Sequence, residues 1–91
     1  MARLVTFVAA IAMLGLSVTR GARAADPDQA EEAFQRGRSL LAEGRYADAC
    51  KAFEASQAAD PASGTLLALA YCQELSGLLA SAYANYRAAA E

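Results

Sequence analysis

Two cysteines, Cys50 and Cys72, carry most of the reactive chemistry in a chain of 91 residues with no histidine and one lysine. In an exported protein, an even cysteine count first raises the question of a disulfide. The competing reading is a pair of buried thiols, because free cysteine packs like a small apolar side chain. Redox catalysis usually relies on Cys-x-x-Cys, a spacing this chain lacks. Two cysteines without histidine also fall short of a usual zinc ligand set. No metal or cofactor site is expected.

Other catalytic material is scarce. No serine sits in a nucleophile-elbow pattern. Glu31 and Glu32 are adjacent, so on a helix they point in different directions and read as a solvated face. No catalytic residue is assigned, and the chain is not expected to be an enzyme over these residues.

The elements that position the cysteines are helices. Ala30, Ala33, Phe34, Gly37, Leu40 and Leu41 form one apolar stripe, and Tyr46, Ala49, Cys50 and Phe53 form another. The pattern predicts a first helix from about Gln29 to Glu43, with Asp28 and Glu31 spaced as a capping box and Asp26-Pro27 as an alternative start. Gly44 stops it. A second helix, Tyr46–Ala59, ends at Asp60-Pro61, because the residue before proline is pushed out of the α region. Ala62-Ser63-Gly64 reads as a turn, Thr65–Ser76 as a third helix closed by Gly77, and Leu79–Glu91 as an alanine-rich fourth. Nothing reads as strand, so the fold class is all-α.

Register follows from the turns. If the first pair is antiparallel about Glu43–Gly44, Gly37 faces Ala49 and Ala33 faces Phe53, and small residues there allow a close helix approach. If the second and third helices are antiparallel about Pro61, residues equidistant from it face each other. Phe53 then meets Leu69, and Cys50 meets Cys72. A bridge there would close a loop of about 23 residues and contribute roughly 3 kcal/mol by chain entropy.

The pattern also repeats 33 residues on: Gly44 is answered by Gly77, Gly37 by Ala70, Ala49 by Ala82, Phe53 by Tyr86 and Ser56 by Ala89. Small residues at the helix crossing (Gly37, Ala49), Tyr46, the aromatic Phe53 and a closing Pro61 make residues 30–91 resemble the tetratricopeptide repeat family. Departures are Ala33 in place of a large aromatic, Arg36 in place of leucine, and Ser56 in place of alanine. The resemblance implies tandem antiparallel helical hairpins, with a first repeat over 30–62 and a second, incomplete one over 63–91. It also implies a concave face that binds a protein or peptide. Carried over by position, that face holds Glu31, Phe34, Arg38 and Leu41 from the first repeat and Leu67, Tyr71 and Glu74 from the second. Phe34, Arg38, Leu41, Leu67 and Tyr71 are its candidate partner-binding residues. The subtype that clamps a terminal carboxylate uses lysine and asparagine where this chain has Phe34, Arg38, Ala68 and Tyr71, so that specificity is not implied. The alternative is that these apolar residues only contact a neighbouring repeat.

The N-terminus reads as a leader. Arg3 precedes an apolar run over Leu4–Val18, and Ala22-Arg23-Ala24 has the small-x-small form of a cleavage site, which makes residues 1–24 a secretory signal peptide. Residues 25–29 form a linker. The run is shorter than the roughly 20 residues that span a bilayer, although an uncleaved anchor is the alternative. All ten acidic residues lie beyond Ala24 with only five basic ones, which leaves the remainder near −5. That charge argues against nucleic acid or an anionic membrane surface as partner. The expected location is the periplasm or envelope of a bacterium, and the expected role a scaffold or adaptor. Other readings are a spacer in a larger membrane-associated protein, or the front of an enzyme whose active site lies beyond Glu91. A helical array this short is expected to be marginal or to self-associate.

Overall fold

Asp26 caps the first helix: its carboxylate accepts the Gln29 N–H at 3.1 Å, and Pro27 occupies the first helical position. The computed structural model describes residues 24–91, so the expected leader lies almost wholly outside the described residues. Among them are four helices and no strand: α1 Pro27–Ala42, α2 Tyr46–Ala59, α3 Ser63–Leu75 and α4 Leu79–Ala90. The chain is all-α over this span. None of these helices is long and apolar enough to cross a membrane.

The bounds of α2 are those the sequence pattern predicts. The start of α1 differs, because the cap is Asp26 and not Asp28, and the helix reaches into the stretch read as linker. Two forces favour Asp26: Pro27, at the first helical position, has its own φ preset to the helical value, and the Asp26 N–H is tied to Ala59 O at 2.8 Å, at the far end of α2. Ser63 and Gly64 also differ from expectation, forming the first turn of α3 and not a loop. The link from α2 is therefore only Asp60-Pro61-Ala62, with the Ala62 N–H held by Gln57 Oε1 at 3.1 Å.

Both hairpin turns use the same device. Gly44 has φ +79° and Gly77 φ +81°, a region glycine enters without steric cost. At the end of α1, Arg45 N–H donates to Leu40 O and Gly44 N–H to Leu41 O, both at 3.0 Å. At the end of α3, Leu78 N–H donates to Gln73 O at 2.8 Å and Gly77 N–H to Glu74 O at 3.1 Å. These are paired Schellman closures that satisfy otherwise unpaired carbonyls. The sequence repeat of 33 residues is thus a repeat of backbone geometry as well.

Each helix packs on the next in chain order, α1 on α2, α2 on α3 and α3 on α4. The core cluster is Ala49, Cys50, Phe53, Leu69 and Cys72, with Phe34, Leu40, Leu41 and Ala68 packed against it. Phe53 is fully buried, which contributes on the order of 1.5–3 kcal/mol. Its ring meets that of Phe34 at 5.5 Å between centroids. The α1–α2 crossing carries a contact that register alone does not give. What lies over Gly37 is the ring of Phe53, so close that a Cβ on Gly37 would be 2.6 Å from Cε1. Helical side chains lean toward the N-terminus of their helix, so the Phe53 ring reaches back to the level of Ala49. Ser56, one turn further on, donates to Ala30 O at 2.8 Å.

Candidate functional site

The α1–α3 cleft. Because α1 and α3 both run antiparallel to α2, they lie in parallel and leave a cleft whose two ends open as separate depressions. One end, a groove of about 370 Å³, is lined by Arg38, Leu41 and Ala42 of α1, Tyr46 at the start of α2, and Tyr71 and Leu75 of α3. The other is lined by residues including Glu31 and Phe34 of α1, Ser56 of α2, and Gly64 and Thr65 of α3. The structure therefore brings Arg38, Leu41 and Tyr71 together. Phe34 stands at the other end, seven residues or about 10 Å along the helix from Leu41. Leu67 lines neither depression, but shares a face of α3 with Tyr71 and Leu75 at spacings of four. All three are exposed, at 50%, 49% and 40%. Phe34 and Leu41 are half-buried and also serve the core.

Tyr46 and Leu75 escaped the sequence reading as cleft residues. Leu75 could have been found, since it continues the Leu67–Tyr71 spacing by one more turn. Tyr46 belongs to the apolar stripe of α2 but is 37% exposed. It is the first residue of α2 and lines the open groove with Leu41 and Ala42 of α1 and Tyr71 and Leu75 of α3.

Arg38 is the one charged side chain of the groove, and it has no ion pair among the described residues. The ion pairs present are Arg45 with Glu43 at 3.8 Å and with Asp48 at 2.7 Å, both well exposed and so worth little. On the opposite hairpin, Tyr86 Oη donates to Glu74 Oε1 at 2.8 Å. That hydrogen bond is the main reason the Tyr86 phenol is held above its ordinary pKa, with desolvation and the carboxylate's charge acting in the same direction.

The α2–α3 seam. Cys50 and Cys72 are brought together as a disulfide, with Cα atoms 5.6 Å apart. The bridge ties the first hairpin to the second. Cys72 is fully buried, with Sγ 3.0 Å from the Tyr46 carbonyl oxygen. Cys50 is 6% exposed, with Sγ 3.7 Å from Ser76 Oγ. It lines a surface depression with Ala47, Lys51, Glu54, Ser76 and Leu78. One part-buried polar pair also lies outside the sequence reading: Asn85 Nδ2 donates to Oε1 of the buried Gln73 at 2.8 Å, joining α4 to α3. Among the described residues, no group of three His, Cys, Asp or Glu side chains is placed to hold a metal ion.

No protein-family model, no curated protein and no solved structure matches this chain.

Proposed function

We propose that this protein is a non-catalytic interaction module of the tetratricopeptide-like kind, which holds an apolar or aromatic peptide segment of a partner protein in the α1–α3 cleft. The observation that carries this reading is the exposed Leu67–Tyr71–Leu75 face beside the groove formed with Arg38, Leu41 and Tyr46. Leucine and tyrosine side chains left half in water at regular spacing can bury against apolar anchors of a ligand, while Arg38 offers one charge-assisted contact. The repeated glycine closures and the small residues at the helix crossing support the family resemblance. The leader-like N-terminus and the Cys50–Cys72 bridge support export to an oxidising compartment, with the periplasm as the setting.

The test is selection of binders from a displayed peptide library on the full chain, followed by Tyr71→Ala and Leu41→Glu. Enriched sequences should be rich in aromatic and aliphatic residues. They should lose at least about tenfold in affinity to Tyr71→Ala, or 1.4 kcal/mol, with helicity unchanged. Binders indifferent to both substitutions would overturn the reading.

A second reading is self-association through α4. Tyr83 stands 33 residues after Cys50, yet is 64% exposed where Cys50 is buried. The face that α3 covers on α2 is thus open on α4. Concentration-dependent sedimentation that Tyr83→Glu abolishes would support this second reading.

A further inference from the structure

The geometry points to Cys50 as a thiol–disulfide exchange site: a low-molecular-weight thiolate enters the bridge at Cys50 Sγ, with Cys72 as the leaving and resolving sulfur. This inference stands apart from the cleft reading, because it concerns the opposite side of the α2–α3 seam.

Three observations carry it. First, access is one-sided. Cys50 keeps a small exposed surface at the floor of the depression lined by Ala47, Lys51, Glu54, Ser76 and Leu78, whereas Cys72 has none. Exchange requires the attacking sulfur to reach its target, so which sulfur is attacked is decided by access. Second, the depression is charged as well as accessible: Lys51, the single lysine of the chain, and Glu54 both line it, so a zwitterionic thiol such as glutathione meets a charge of each sign. Third, both sulfurs keep polar neighbours once separated. A thiol at Cys72 can donate to Tyr46 O, 3.0 Å from its sulfur, and the Cys50 sulfur lies beside Ser76 Oγ. The opened form, with Cys50 in a mixed disulfide and Cys72 as the one free thiol, would leave neither sulfur without a polar neighbour.

In the step itself, the thiolate sulfur forms a bond to Cys50 Sγ as the Cys50–Cys72 bond breaks. The electron pair leaves on Cys72 Sγ, which takes a proton from water. The incoming sulfur is oxidised and Cys72 reduced, so no further oxidant is needed. Closure reverses the step: Cys72, as thiolate, attacks the mixed disulfide at Cys50 and expels the small thiol. The opened form frees α3 from its covalent tie to α2, leaving the two hairpins joined by the short Asp60–Ala62 link and the apolar seam.

The oxidised full chain should be treated with reduced glutathione, quenched with excess N-ethylmaleimide and digested with trypsin. Cleavage after Lys51 separates the two cysteines into different peptides. Glutathione should appear on Cys50 and maleimide on Cys72 in at least about tenfold excess over the reverse arrangement. In urea the preference should vanish. Equal labelling of the native protein, or an excess on Cys72, would overturn the proposal. So would the absence of any adduct on native protein under conditions where the unfolded chain forms one.

Discussion

Replacing Gly37 with alanine tests the α1–α2 crossing directly. An added Cβ would stand 2.6 Å from Phe53 Cε1, 2.8 Å from Cδ1 and 3.0 Å from Cζ. Real Cβ atoms do not approach carbon that closely, so either the ring or the helix must move. The ring has little freedom, being fully buried and packed against Phe34. Inserting a methyl into a filled core costs about 1–3 kcal/mol. Against this, alanine is favoured over glycine in a helix interior by about 1 kcal/mol. With three ring atoms in conflict, the upper half of the steric range applies, which leaves a net loss of about 1–2 kcal/mol. In a domain of this size each kcal/mol lowers Tm by roughly 4–8 °C. Gly64→Ala is the matched control, since nothing lies within 4 Å of its added Cβ and its φ is not positive. It should leave stability unchanged or raise it by up to about 1 kcal/mol. Thermal and urea melts followed by circular dichroism would measure both. A Gly37→Ala protein more stable than the parent by about 1 kcal/mol would refute the crossing geometry, because the propensity gain alone would then account for the outcome.

Three further outcomes are expected. Asn85→Ala strands the buried Oε1 of Gln73 and should cost about 1–3 kcal/mol in a urea melt, and Asn85→Asp, which cannot donate at neutral pH, should not restore the loss. The Tyr86 phenol, held above its ordinary value chiefly by its hydrogen bond to Glu74, should ionise above the ordinary tyrosine range in an alkaline absorbance titration. Its folded-state pKa is raised, so its contribution to stability is present below the ordinary tyrosine range near pH 10 and is lost as pH rises through the folded value; Glu74→Gln should bring the titration down. Reducing the Cys50–Cys72 bridge should lower stability by roughly 3 kcal/mol, read as a lower urea midpoint with dithiothreitol than without. An unchanged midpoint would mean that the seam holds without its covalent tie.

The helices were legible because their punctuation is local. Gly44 and Gly77 end helices by entering a backbone region that other residues resist, and Asp60-Pro61 ends α2 by a clash between adjacent residues. The meeting of Cys50 and Cys72 also needed little more than a short turn at Pro61 and straight helices on either side. Tertiary structure decided what those rules leave open. It chose Asp26 over Asp28 as the cap, because Asp26 alone is held by the end of α2. It swung the Phe53 ring onto Gly37, left Tyr46 half in water, and buried Gln73 against an asparagine twelve residues away. It also divided the five cleft residues, gathering Arg38, Leu41 and Tyr71 and setting Phe34 and Leu67 apart. The difference is physical. A helix end is fixed by bonds among residues a few positions apart, whereas a side chain's neighbours depend on where the next helix crosses and where it stops.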